Sequence, residues 1–80
     1  MNRDNILNII IEHTCELLPA LQKHAFQDTD SLADLGANSI DRSEIVMLTM
    51  ESLALKLSRV ELMGPTNIGE LADLIYAKLQ

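Results

Sequence analysis

The sequence is poor in aromatic residues: its 80 residues include no tryptophan, one tyrosine and one phenylalanine. Phe26 and Tyr76 are too few for a platform on which bases or sugars stack. Cys15 stands alone, which excludes an internal disulfide and a cysteine-based zinc site. His13 and His24 lack cysteine partners and show no metal-ligand spacing, so no metal is expected. Positive charge is scarce as well, with 6 Lys and Arg against 12 Asp and Glu and a formal net charge of −6. Nucleic acid demands Lys and Arg for its phosphates and is not an expected partner, whereas a protein with a basic surface is. Long apolar runs are also missing. Ile9-Ile10-Ile11 and Ile45-Val46-Met47-Leu48 fall far short of the ~20 residues of a membrane span. No basic stretch followed by an apolar run opens the chain, so neither a signal peptide nor a membrane partner is expected, and the expected location is cytoplasmic.

What is present is ordinary globular material. Hydrophobic residues make up 48% of the chain, too many for a disordered tail. A chain of this length supports one modest core, burying roughly 60–65% of its unfolded surface. That leaves little room to enclose a reaction, so a self-sufficient enzyme is not expected.

The apolar pattern is helical rather than alternating. Ile6, Leu7, Ile10, Ile11, Thr14, Leu17, Leu18 and Leu21 recur at steps of three and four. Asn2 or Asp4 is positioned to cap this first helix, and Pro19 disfavours its continuation. A second helix is predicted from about Asn38-Ser39 to Leu53 or Leu55. A last one, capped by Thr66 after the Gly64-Pro65 break, carries Ile68, Leu71, Ala72, Leu74, Ile75 and Leu79 on its apolar face. From Pro19 to Ala37 the periodicity is weak, and a loop of roughly twenty residues signals function or a missed element. Asp28, Thr29, Asp30 and Ser31 read as turn chemistry, with Leu32 and Leu35 pinning the loop to the core. Lys56 to Met63 fits a short helix or an extended connector equally well. The fold class is all-α, three main helices and at most four, with a long first loop. Cys15 reads as a packed small residue, and His13 and His24 as surface or loop residues without a role.

The segment Asp34-Leu35-Gly36-Ala37-Asn38-Ser39-Ile40-Asp41 holds the candidate chemistry. Gly36 permits a tight turn, and Asn38 is a good helix cap. Ser39 is then the first helical residue, at the positive end of the helix dipole, where a phosphate ester is favoured. No histidine lies in a Ser-His arrangement with it, so the hydroxyl is presented without being activated, as suits modification by another enzyme. A serine there also occurs simply as part of a helix start. On the helical wheel Ile45, Val46, Thr49 and Leu53 form the core stripe, and Ile40, Glu44, Met47 and Glu51 lie opposite. Apolar residues mixed with carboxylates suggest a docking surface, with Met47 supplying adaptable contact. Periodicity leaves open that the loop or the 56–63 segment covers Ile40 and Met47.

These residues resemble the attachment motif of acyl carrier proteins, a Leu-Gly-x-Asp-Ser-Leu-Asp-like string. The resemblance runs on through Glu44-Ile45-Val46-Met47, the long first loop and the last helix, nearly the whole chain. It implies a single acyl carrier domain over residues 1–80, a helical bundle, and 4′-phosphopantetheine attached covalently at Ser39. A separate Mg²⁺-dependent phosphopantetheinyl transferase donates that group from coenzyme A. Its terminal thiol holds acyl groups as thioesters, and the carrier itself is not an enzyme. The family's pattern places Asp41, Glu44 and Glu51 against Lys and Arg of partner enzymes, with Ile40 and Met47 as the apolar contacts. A flexible arm raises the effective concentration of substrate at each docked enzyme, and charge complementarity speeds brief encounters.

Departures from the common motif refine the resemblance. Asn38 replaces the usual Asp and still caps the helix, Arg42 adds a local positive charge beside Ser43, and residues 56–63 lack the acidic pattern of fatty-acid carriers. These features point toward polyketide carriers. The strings Asn38 to Ile45, Arg59-Val60-Glu61-Leu62 and Asn67 to Leu74 are similar to those of free-standing donor carriers of β-branching cassettes. Such a carrier has its malonyl group decarboxylated to acetyl and brings it to a hydroxymethylglutaryl-CoA (HMG-CoA) synthase-like enzyme. The absence of tryptophan, and a chain expected to be complete, favour donor over acceptor. The implied partners are the transferase, an acyltransferase, a decarboxylating ketosynthase-like enzyme and the synthase-like enzyme, visited by a monomer. A fatty-acid or peptidyl carrier, or an unmodified helical interaction module, is the alternative.

Overall fold

Asparagine opens each of three helices: α1 (Arg3–Leu17), α2 (Ser39–Ser52) and α3 (Ile68–Leu79). Asn2 Oδ1 accepts the Asn5 N–H at 2.8 Å, Asn38 Oδ1 the Asp41 N–H at 2.8 Å, and Asn67 Oδ1 the Glu70 N–H at 2.7 Å. Each satisfies an amide that a helix start leaves without an intrahelical partner. The computed structural model describes residues 1–56, Ser58, Glu61 and residues 64–79, and no strand occurs among them.

Two cap expectations resolve differently. At α1 the cap is Asn2, with Asp4 inside the first turn. At α3 the cap is Asn67, one residue after the expected Thr66. Thr66 instead donates its N–H and its hydroxyl to Glu70 Oε1 at 3.0 and 3.1 Å. Glu70 thus reaches back one residue beyond the cap.

The periodicity through Leu18 and Leu21 overran the first helix. Proline has no N–H to donate and its ring crowds the preceding turn. It also pushes the residue before it out of the helical region, and Leu18 has φ −127° and ψ 74°. The chain re-enters as a 3-10 turn over Pro19–Leu21, which places Leu21 half-buried. The Cys15 thiol, also half-buried, donates to the Leu21 carbonyl at 3.7 Å.

α1 packs against both α2 and α3. The core consists of Ile6 and Ile10 from α1, Ile45, Val46 and Met50 from α2, and Ile68, Leu71, Ala72 and Ile75 from α3. Each fully buried isoleucine contributes about 1.5–3 kcal/mol. Of the expected α2 stripe, Ile45, Val46 and Thr49 are buried and Leu53 packs at the edge, while Met50 is an addition. Among the described residues the buried polar side chains are Thr14 and Thr49, which donate their hydroxyls to the Ile10 and Ile45 carbonyls at 2.7 and 2.8 Å, so neither is unsatisfied. α2 closes with the Leu55 N–H on the Met50 carbonyl and the Ala54 N–H on Glu51, with Ala54 at φ 52°. That is the 6→1 and 5→2 pairing of a Schellman motif, built with alanine where glycine is usual.

The long first loop is a structured strap. Leu32 and Phe26 pack on the core, and Leu35 is half-buried. Its backbone also serves α3: the Ile68 N–H donates to the Asp30 carbonyl and the Gly69 N–H to the Asp28 carbonyl, both at 2.9 Å. A β-carbon on Gly69 would meet Asp28 at 2.8 Å, so only glycine permits this approach. Arg3 adds a clamp, pairing its Nε with Asp73 and its terminal nitrogen with Asp28 at 2.8 Å. His24 belongs to the loop, as expected, and pairs with Asp30 at 3.0 Å. His13 departs from the surface expectation. Its side chain is only 14% exposed, and its ring bridges Glu16 at 2.6 Å and Ser52 at 2.7 Å, tying α1 to the end of α2. The possible fourth helix at 56–63 falls on Leu57, Arg59, Val60, Leu62 and Met63, which lie outside the described residues.

Candidate functional site

The position of Ser39 is set by the turn that precedes it. Residues 32–36 form a single turn in which the Gly36 N–H donates to the Ala33 carbonyl at 3.1 Å and the Ala37 N–H to Leu32 at 3.0 Å. Gly36 sits at φ +105°, a conformation that L side chains rarely adopt. The turn drives Ala37 into the interior, 4% exposed, and releases Asn38, Ser39 and Ile40 to the surface.

At the start of α2, Asn38 and Asp41 form a reciprocal capping box. The Asp41 carboxylate accepts the Asn38 N–H at 3.4 Å, so this acid is turned back onto the cap and is half-buried. Ser39 is the first helical residue and is exposed. Among the described residues its hydroxyl has no hydrogen-bond partner, and neither do the amides of Ser39 and Ile40. Those amides and the helix dipole form a positive end beside the hydroxyl, suited to a phosphate ester. Both histidines are engaged elsewhere, His13 with Glu16 and Ser52 and His24 with Asp30, so no imidazole activates Ser39.

Ile40 and Met47 are 74% and 41% exposed, so neither is covered by the loop. With Ser39, Ser43 and Glu44 they line a shallow, open depression. Glu51 is exposed one turn farther along the same face, outside the depression. The structure therefore gathers Ser39, Ile40, Glu44 and Met47 at one spot, with Glu51 beyond it and Asp41 on the cap. Residue spacing did not reveal the other flank of Ser39. There Arg42 and Val46 border a cavity of about 410 Å³ that reaches Leu71 and the start of α3. From sequence, Arg42 is legible only as a local charge, because α3 and the loop form the rest of the cavity.

Residues 8–75 match the family model described as the phosphopantetheine attachment site. The chain belongs to this family of phosphopantetheine-binding acyl carrier proteins, which carry the group covalently. It is 46% identical over 80 residues to the polyketide biosynthesis acyl-carrier-protein AcpK of Bacillus subtilis (strain 168), covering all of this chain and 98% of that protein. Among solved structures it is similar to a chain of the curacin biosynthetic pathway HMG synthase in complex with acetyl donor-ACP. The TM-score is 0.93 at 47% identity, with 96% of this chain and 99% of that one covered. The start of α2 fits the group: an exposed hydroxyl beside two amides without acceptors among the described residues. The all-helical expectation holds, and no described helix is long and apolar enough to cross a membrane.

Proposed function

We propose that Ser39 is the phosphopantetheine attachment residue and that residues 1–80 act as one non-catalytic donor carrier in polyketide β-branching. The observation that carries this reading is the exposed, unactivated Ser39 hydroxyl at a capped helix start, within a chain-long likeness to polyketide carriers. In the attachment step Ser39 Oγ bonds to the pantetheine-side phosphorus of coenzyme A. The pyrophosphate P–O bond breaks, 3′,5′-ADP leaves, and the hydroxyl proton passes to the transferase. When bound, the arm supplies the thiol on which acyl groups rest as thioesters.

The protein's own residues present and position the arm. Asn38 and Asp41 hold the helix start rigid, and the positive end of α2 favours the phosphodiester beside Ser39. Ile40 and Met47 offer apolar contact, and Glu44, Glu51 and the exposed part of Asp41 meet basic residues of visiting enzymes. Those partners are the transferase, an acyltransferase, a decarboxylating ketosynthase-like enzyme and an HMG-CoA synthase-like enzyme that receives acetyl. The carrier works as a monomer in the cytoplasm.

Incubation with coenzyme A and a broad-specificity transferase is expected to add one phosphopantetheine, seen by intact mass, and Ser39→Ala to abolish the addition. A wild-type chain that stays unmodified beside an active transferase overturns the reading. The donor role predicts that the acetyl-loaded protein gives acetyl to the synthase-like enzyme in preference to an acetyl-loaded fatty-acid carrier. Equal transfer from both removes that part.

A further inference from the structure

The cavity on the Arg42 side of Ser39 has features that packing alone does not explain. Its described lining combines apolar side chains, Leu32, Val46 and Leu71 among them, with the polar Ser31 and Asn67. Arg42 is the one charged side chain among its described lining residues, in a chain whose formal net charge is −6. Arg42 Nε is shielded from solvent, yet it has no hydrogen-bond partner among the described residues. A covered, unpaired N–H on a cation is costly, and a guanidinium is shaped to recognise carboxylate. The volume of about 410 Å³ lies within the ordinary range for small-molecule sites. Arg42 is also three residues after Ser39, so the two side chains neighbour each other on α2.

We infer that this cavity receives the acyl end of the protein's own arm when that end carries a free carboxylate, as in a malonyl thioester, and that Arg42 Nε–H donates to the carboxylate. The inference rests on Ser39 being the attachment residue. Charge selects the ligand: an anion complements a cation whose covered Nε–H has no partner among the described residues, and the apolar part of the lining suits a short carbon chain. A charge-assisted hydrogen bond of this kind raises the folded-back population about tenfold over a neutral acyl group of the same size. Decarboxylation then changes the position of the arm as well as its cargo. The C–C bond to the carboxylate breaks, carbon dioxide leaves, a proton takes its place, and the remaining acetyl group has nothing to offer Arg42. The malonyl form is held against the carrier and the acetyl form is released to partners.

The experiment loads the ¹⁵N-labelled protein with unacylated, acetyl, acetoacetyl and malonyl phosphopantetheine from the corresponding coenzyme A forms. Intact mass confirms each addition, and amide and arginine Nε–H spectra are compared. Acetoacetyl matches malonyl in size without its charge, so the decisive comparison needs no variant. The malonyl form is expected to shift the Arg42 Nε–H and the amides of Leu32, Val46 and Leu71, with acetyl and acetoacetyl leaving them near the unacylated positions. Arg42→Gln is expected to accept the arm and to lose the malonyl-specific shifts. Equal shifts with acetoacetyl, no shifts with malonyl, or an Arg42 shift that is complete once the unacylated arm is attached would each overturn the inference. Absence of any mass addition would instead overturn the attachment reading, and this inference with it.

Discussion

The starts of α2 and α3 are written in nearly the same local code and do opposite things. Asn38-Ser39-Ile40-Asp41 and Asn67-Ile68-Gly69-Glu70 each place an asparagine at the cap and an acid three residues later. Both asparagines accept the amide three residues on. At α3 the next free amides, from Ile68 and Gly69, are taken by the carbonyls of Asp30 and Asp28, and both residues are buried. At α2 the equivalent amides of Ser39 and Ile40 have no acceptor among the described residues, and both residues are exposed. A helix start becomes an attachment site when nothing else uses its donors, and an anchor when a neighbouring loop does.

The sharpest way to break this contrast is at its second residue. Gly69→Ala forces a β-carbon against Asp28 backbone at 2.8 Å and is expected to cost about 2–3 kcal/mol in urea unfolding. Ile40→Ala, at the matching position of α2, is expected to change stability by no more than about 0.5 kcal/mol. The caps come next. Asn38→Ala and Asn67→Ala should each cost about 1 kcal/mol. Only Asn38→Ala is expected to slow attachment at Ser39, read as the rate of mass gain with transferase and coenzyme A.

Acid should loosen one start selectively. The Gln27 N–H, and after it His24, hold the Asp30 carboxyl below its usual range. A depressed carboxylate contributes stability that is fully present above the ordinary aspartate value of 3.8 and is lost as pH falls below it through the folded value. Amide exchange at Ile68 and Gly69 is therefore expected to quicken relative to the rest of α3 as pH drops through that range, and Asp30→Asn to remove the dependence. The smallest effect on folding is at the exposed acids. Glu44→Lys and Glu51→Lys should leave unfolding midpoints unchanged while slowing acyl loading by partner enzymes and reducing its sensitivity to salt. Unchanged loading for both would mark these acids as merely solvated.

The elements legible in the sequence are those set by local chemistry. Apolar spacing located the three described α-helices, and the Asn38 cap with Ser39 at the first helical position emerged from residue types alone. Pro19 was legible as a stop, yet the periodicity of Leu18 and Leu21 continued past it, because a 3-10 turn keeps a similar spacing. Thr66 and Asn67 are both good capping residues, and the choice between them depended on how the loop carbonyls hold Ile68 and Gly69. His13 looked like a surface residue because its partner Ser52 is far away in sequence.

The sequence by itself determined that this protein is a small acidic helical domain with a hydroxyl presented at a capped helix start, because capping, amphipathic period and net charge are properties of neighbouring residues. Tertiary structure alone decided which of two similar helix starts stays open, that Ile40 and Met47 remain exposed beside Ser39, and that Arg42 borders a cavity with its Nε unpaired among the described residues. Those outcomes depend on where the loop and α3 come to rest against α2. That resting place follows from close backbone approach at Gly69 and burial shared by three helices, neither of which any single stretch of sequence contains.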